Sequence, residues 1–228
     1  DSSLADRISR RMDGKILLSN VFTNEADLEQ LPGTALVIST VRTHRVLDHP
    51  LVLISPFLTN SDIIALNRKV EEINTLARRA RFRQSLTAIM SPDLFEIGSV
   101  YLTREDVIHH MCGSFQSLGY AGAEYEAAVL ERETISATAF GQFAIPHTLK
   151  MHSRRTSMAV YISRTPIQWG DSAVNLVIML SFNSNDRKIF YDVFEPLSML
   201  LLDANNLKGA LACRTYDAFI DYLVERME

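Results

Sequence analysis

The chain changes its hydrophobic rhythm along its length, and each change predicts a different kind of element. Near the start, Leu4, Ile8 and Met12 recur at helical spacing until Gly14, a residue that ends a helix without steric strain. Three short apolar runs follow, Ile16 to Phe22, Leu36 to Val41 and Leu51 to Ile54, and a helix capped at Thr59 or Ser61 comes next. Helix and strand patterns in alternation predict a small parallel α/β sheet over residues 1–72. Over 73–92 the pattern becomes a basic helical connector carrying Arg78, Arg79, Arg81 and Arg83, which Pro92 closes. An arginine patch on a chain of net negative charge reads as a solvated helix joining two domains rather than as a nucleic-acid surface.

Residues 93–228 begin a second domain. Thr103 and Asp106 predict a capping box that opens a helix to about Leu118, with Gly119 as its stop. A second helix, Glu124 to Arg132, leads toward the stretch FGQFAIPHTL, Phe140 to Leu149. Proline fixes φ and removes a backbone donor, so Ile145-Pro146 predicts the end of a strand with His147 presented at its edge. An imidazole held there serves as a nucleophile or proton carrier near neutral pH.

The whole arrangement ERETISATAFGQFAIPH resembles the active-site segment of enzyme IIA of the fructose/mannitol class in the bacterial sugar phosphotransferase system. The match runs on through TSMAVYISRTPIQWGDSAVNLVIMLSF, Thr156 to Phe182, which looks like the paired strands after the active histidine with their proline-to-tryptophan turn, so that Asp93 to Glu228 is covered. The resemblance implies a mixed sheet flanked by helices. It makes His147 the phosphoacceptor for the phosphocarrier protein HPr and puts Arg132 near the phosphate, where a planar fork of donors suits phosphate oxygens. Thr148 offers a hydroxyl or backbone N–H to the same oxygens, and Gln142 stands where the family often has a glutamate. Without the resemblance, Arg132 reads as a helix-surface ion pair with Glu131 or Glu133.

The chain departs from that family in two ways. One residue is missing between Gly141 and the apolar run, and Thr148 replaces a small residue. Transport-type members also carry a second histidine at the start of the helix after the last strand. The helical spacing of Ile189, Phe190, Val193 and Leu197 puts Asp186 there, and no histidine follows His152. A domain without that second histidine suits a sensor better than a carrier.

ALVIST, Ala35 to Thr40, and LVLISPFLTNSDI, Leu51 to Ile63, resemble the enzyme IIB-like domain of sugar-operon regulators. Ser2-Ser3 matches the small-polar pair that ends that family's phosphocysteine loop, which puts the cysteine before Asp1 and implies a truncated IIB-like domain. The start at Asp1 rather than at methionine, with no secretory leader, predicts a piece of a longer protein with domains upstream.

Composition narrows the alternatives. A 47% apolar content is ordinary for a globular protein, and the longest apolar stretches fall far short of the roughly 20 residues that span a bilayer, so no membrane insertion is expected. A net charge of -4 supplies no overall attraction to nucleic acid. Cys112 and Cys213 are isolated, which predicts reduced, buried thiols and no zinc site. His109 and His110 are adjacent on one helix and cannot form a helical metal pair. His44 and His49 flank a loop between strands, and His152 follows the active segment; all read as solvated. No GxxxxGK[ST], strand-linked GxGxxG or HExxH occurs, so neither cofactor nor metal is expected.

IIB-like before IIA-like is the order of the C-terminal regulatory half of BglG/MtlR-type sugar-operon regulators. The expectation is therefore a cytoplasmic phosphorylation sensor. Its implied partners are HPr, a IIB component, upstream regulatory and nucleic-acid-binding domains of the same chain, and a second copy in a homodimer. The rival expectations are a IIA carrier, which would be a phosphotransferase passing phosphate from HPr to a IIB cysteine, and an interaction domain that kept the fold without the chemistry.

Overall fold

The computed structural model describes residues 2–33, 36–45, 47–148, 150 and 152–228, which leaves Ala35 of the first IIB-like motif outside the described residues. The chain divides into two compact units, Asp1–Ala77 and Arg78–Glu228.

In the first unit, helix α1 (Leu4–Met12) starts at a reciprocal cap: Ser3 Oγ accepts from the Asp6 N–H at 3.2 Å and the Asp6 carboxylate accepts from the Ser3 N–H at 3.1 Å. It stops at Asp13 and Gly14, both with positive φ. Strands β1 (Val37–Ser39) and β2 (Leu51–Leu53) pair in parallel, as the alternating pattern predicts. Ile8 and Met12 of α1 share a core with Val52, Ile54, Leu58, Leu66 and Val70. The apolar run Ile16 to Phe22 forms no strand. Its residues 17–22 are irregular, Leu17 and Val21 point to solvent, and a 3₁₀ turn, Glu25–Gln30, follows. Apolar residues suit a strand, but without a ladder partner the backbone has nothing to pair with.

Helix α2 (Asn60–Ile89) begins at Thr59, whose Oγ1 accepts from the Asp62 N–H at 3.3 Å while Asp62 accepts from the Thr59 N–H at 2.7 Å. The helical connector expected over 73–92 is continuous with this helix. Its basic stretch is a packing surface as well as a solvated one. Phe82, Leu86 and Ile89 are buried, Arg83 pairs with Asp221 at 2.8 Å, and Arg79 Nε donates to the Met227 carbonyl at 2.9 Å.

The second unit is a five-stranded mixed sheet covered by helices on both faces. After a 3₁₀ turn, Pro92–Leu94, come β3 (Phe95–Gly98), α3 (Arg104–Ser117) and α4 (Glu124–Ile135), then β4 (Ala139–Phe140) and β5 (Phe143–Ala144). Two long strands follow, β6 (His152–Trp169) and β7 (Ser172–Asn183). The strand order is β3-β6-β7-β5-β4, with β3 parallel to β6, β5 parallel to β7, and antiparallel pairing in β6–β7 and β4–β5. The chain ends with α5 (Arg187–Ile189), a π-turn at Phe190–Phe194 that runs into α6 (Glu195–Leu202), then α7 (Ala204–Ala212) and α8 (Tyr216–Arg226).

Successive side chains on a strand face opposite ways, and β7 uses both faces. Leu176, Ile178 and Leu180 pack with Leu86, Leu197, Phe219 and Leu223, whereas Val177 and Met179 pack with Val107, Phe115, Tyr125 and Val129. Pro166 falls in a register shift of β6 between Ile162 and Ile167, where a residue without an N–H is tolerated. The turn between the long strands is Gly170-Asp171, just beyond Trp169, with Gly170 at φ 59°.

Helix α3 is capped by Thr103, whose Oγ1 accepts from the Asp106 N–H at 3.1 Å, and Gly119 follows its end at φ 74°. Helix α4 runs three residues past the expected end at Arg132. Cys112 is buried with its thiol donating to Met179 Sδ at 3.7 Å, but Cys213 is only half-buried, because α7 ends just before it. Both are free thiols. Among the described residues, no helix is long and apolar enough to cross a membrane.

Candidate functional site

His147 lies three residues beyond β5. Because β5 is parallel to β7, with Ala144 opposite Val177, the chain carries His147 toward the end of β7 that holds Asn183. The β4–β5 hairpin sets this course. Its two-residue turn, Gly141-Gln142, has Gly141 at φ 61° in the first central position, as a tight hairpin with Gly leading requires. The Gln142 carbonyl accepts from the Asn175 and Leu176 N–H groups at 2.8 and 3.1 Å, which docks the turn against β7. Gln142 thus sits at the start of β5 and His147 past its end. Phe143, Ala144, Ile145 and Pro146 are all buried, so the segment entering His147 is held on every side.

The ring of His147 is half-buried, and its Nδ1 lies 2.8 Å from the Ile145 carbonyl oxygen. A carbonyl oxygen only accepts, so in the neutral ring this contact assigns the proton to Nδ1 and leaves the lone pair on Nε2. Which ring nitrogen keeps a free lone pair is thereby set by a backbone carbonyl two residues upstream. Thr148 is half-buried beside it, and its Oγ1 accepts from the Lys150 N–H at 3.1 Å, so its own hydroxyl proton is still available to an incoming anion.

Arg132 reaches the same end of the sheet from the last turn of α4. Its Nη1 donates to the Ser136 carbonyl at 2.8 Å, where a cation also meets the negative end of the helix. Ser136 leads directly to Thr138, whose carbonyl accepts from the Ile145 N–H at 3.1 Å. No hydrogen bond joins Arg132 to His147 among the described residues. Nor does Arg132 pair with Glu131 or Glu133; Glu133 faces inward instead.

Glu133 is the residue that sequence reasoning missed. It is 3% exposed, and its carboxylate accepts from the Thr138 N–H at 3.2 Å, from the Thr138 hydroxyl, and from Trp169 Nε1–H at 3.0 Å, with Arg104 Nη1 at 3.9 Å. A signal was present: Tyr125, Val129 and Glu133 recur at i, i+4 and i+8 on the buried face of α4, and a carboxylate in an apolar stripe needs donors waiting for it.

Asp186 follows β7 and precedes α5, at the end of the sheet that His147 approaches. Its carboxylate accepts from the Thr156 hydroxyl at 2.7 Å, and Thr156 Oγ1 in turn accepts from the Asn183 N–H at 2.9 Å. His152, paired with Asn183, is exposed at that end as well. The remaining histidines are elsewhere. His109 contacts Glu126 at 2.7 Å, His110 contacts Glu96 at 2.5 Å and stacks on Tyr101, and His44 and His49 lie in the loop between β1 and β2. No group of His, Cys, Asp and Glu able to hold a metal ion is found among the described residues.

The family described as phosphoenolpyruvate-dependent sugar phosphotransferase system, EIIA 2, matches residues 88–226. The chain is similar to the probable licABCH operon regulator of Bacillus subtilis (strain 168), 24% identical over 192 residues, which is 84% of this chain and 28% of that protein. It is also similar to transcriptional regulator ManR of the same organism, 25% identical over 72% of this chain and 26% of that protein. A multiphosphoryl transfer protein of Escherichia coli O157:H7 is 26% identical over 68% of this chain and 19% of that protein. The chain spans about a quarter of the length of the two regulators. Among solved structures, the Escherichia coli complex of mannitol enzyme IIA with phosphorylated enzyme IIB aligns with a TM-score of 0.53 at 20% identity, over 60% of this chain and 99% of that one. The nitrogen regulatory protein IIA-Ntr of Neisseria meningitidis aligns with a TM-score of 0.54 at 15% identity, over 60% of this chain and 97% of that one. These likenesses establish the fold, a mixed sheet flanked by helices. With a match that covers more than half of its residues, the chain belongs to the EIIA 2 family of the phosphoenolpyruvate-dependent sugar phosphotransferase system.

Proposed function

We propose that the chain is the phosphorylation-sensing part of a sugar-operon transcriptional regulator and that His147 accepts a phosphoryl group from HPr. The observation that carries this reading is the Nδ1–H···O=C contact to Ile145, which leaves Nε2 as a neutral nucleophile at the end of a rigid, buried segment. In the proposed step Nε2 attacks the phosphorus of phosphohistidine on HPr. The new N–P bond forms as the N–P bond to HPr breaks, and the donor imidazole leaves with its electron pair. Arg132 and Thr148 stabilise charge on the phosphoryl oxygens, and catalysis is chiefly positioning and electrostatics.

The regulator reading is favoured by where similarity extends. The match to the licABCH operon regulator covers more residues than 88–226 contains and so reaches into the chain before that span. In this reading residues 1–72 are a IIB-like domain without its phosphocysteine loop, 73–92 connect it, and 93–228 are the phosphoacceptor domain. The parallel β1–β2 pair and the helix opening just after Ser2-Ser3 support the first assignment. Partners would be HPr, nucleic-acid-binding and regulatory domains of a longer chain, a IIB component and a second copy. The carrier reading draws on the similarity to multiphosphoryl transfer protein.

Incubation with enzyme I, HPr and labelled phosphoenolpyruvate tests the assignment. Acid-labile label is expected on the wild type and is lost in a folded His147→Ala variant; label retained there overturns it. Chasing the labelled chain with a IIB domain separates the two readings, since rapid and complete transfer would make the chain a carrier.

A further inference from the structure

A chain of contacts leads from a buried carboxylate to the reactive ring. Trp169 Nε1–H donates to Glu133 at 3.0 Å, and Glu133 holds Thr138 through both its N–H, at 3.2 Å, and its hydroxyl. The Thr138 carbonyl accepts from Ile145 N–H at 3.1 Å, and the Ile145 carbonyl accepts from His147 Nδ1–H at 2.8 Å. Thr138 and Ile145 are thus each held on both sides, through the N–H of one peptide group and the carbonyl of the next. The anchor is well chosen, because a buried carboxylate that loses a donor is strongly penalised and so holds its donors firmly. It is also well braced. Trp169 is fully buried at the end of β6, Arg104 approaches from the start of α3, and Gly170 passes so close to Ala137 that a Cβ there would lie 3.0 Å from the Ala137 Cβ.

We propose that Glu133 is a positioning residue for His147, holding Thr138 and Ile145 so that the imidazole keeps its proton on Nδ1 and offers Nε2. This rests on His147 being the phosphoacceptor only as far as the rate of transfer is concerned; the ring's tautomer is a property of the free chain. Glu133→Met keeps an unbranched side chain but supplies no strong acceptor, so Thr138 N–H, the Thr138 hydroxyl and Trp169 N–H all lose their partner. Thr138 is then no longer anchored, and the Ile145 segment that its carbonyl holds loses its fixed position.

Nitrogen-resolved NMR of the His147 ring in the full 228-residue chain is the test, run with near-ultraviolet dichroism to verify the fold. The wild type should show predominantly the Nδ1–H tautomer, and Glu133→Met a mixture with Nε2–H. Phosphorylation by HPr should slow about 2- to 12-fold, the worth of one ordinary hydrogen bond. Thr138→Val, which removes one donor to the carboxylate but keeps the peptide, should give a smaller change of the same sign. If Glu133→Met fails to fold, Thr138→Val decides. A folded variant whose His147 keeps the wild-type tautomer overturns the proposal. A wild type that shows the tautomer and its shift in the variant but accepts no phosphoryl group leaves Glu133 as the positioning residue and overturns the functional reading instead.

Discussion

Replacing Arg132 by alanine separates the structural role of this side chain from the role proposed for it at the phosphate. Its guanidinium already gives one N–H to the Ser136 carbonyl at 2.8 Å and neutralises the C-terminal end of α4. The rest of the planar fork, the remaining Nη and Nε donors, is left for phosphoryl oxygens. The first role concerns stability. Arg132 is half-buried, so solvent screens this contact and its loss costs about 0.5–1 kcal/mol. For a unit of this size that lowers Tm by about 1–4 °C. The second role concerns rate. A charge-assisted hydrogen bond to phosphate contributes about 1.5–3 kcal/mol, which predicts an HPr-dependent phosphorylation rate about 10- to 150-fold slower. Arg132→Lys keeps the charge but not the fork, and should recover only part of the rate. The assay is single-turnover transfer from phospho-HPr at several concentrations, with thermal unfolding measured in parallel. An alanine variant with the expected drop in Tm but the wild-type rate would reduce Arg132 to a helix cap and refute its role at the phosphate.

Two further outcomes are expected. Burial, with a smaller contribution from Glu126, pushes the Cys112 thiol up to about 12, whereas an unfolded thiol titrates near 8.5. The stability this raised value contributes is complete below about pH 8.5 and declines by about 1.4 kcal/mol per pH unit until the folded thiol titrates. Chemical denaturation of wild type and Cys112→Ala between pH 8 and 10.5 should therefore converge as pH rises, and parallel curves would contradict the assignment. Gly141→Ala should lower stability by about 1–2 kcal/mol from backbone strain alone, because φ is 61° and nothing lies within 4 Å of the added carbon. No loss of stability there would mean that the hairpin turn relaxes freely.

Local patterns marked α1, α3 and α4 because capping and helix-stop chemistry act within a few residues: Ser3 with Asp6, Thr103 with the Asp106 N–H, and Gly14 and Gly119 at the ends. They also marked His147, since a proline before it ends a strand whatever lies around it. They failed where a partner decides. Ile16 to Phe22 has a strand's composition, yet a strand exists only if another backbone pairs with it. The arginines at 78–83 read as solvated, yet Phe82 and the contacts to Met227 and Asp221 bind that stretch to the end of the chain.

The same division runs through the candidate site. Sequence by itself determined that a histidine stands after a buried strand, because φ restriction and the loss of a donor are properties of one residue. Which ring nitrogen faces outward was decided by the carbonyl of Ile145, and that carbonyl's direction by Thr138, Glu133 and Trp169. Those residues are up to 36 positions apart and meet only when α4, the β4–β5 hairpin and the end of β6 pack together. Hydrogen-bond direction at an imidazole ring depends on atoms within about 3 Å, and no pattern along the chain specifies which distant atoms those are.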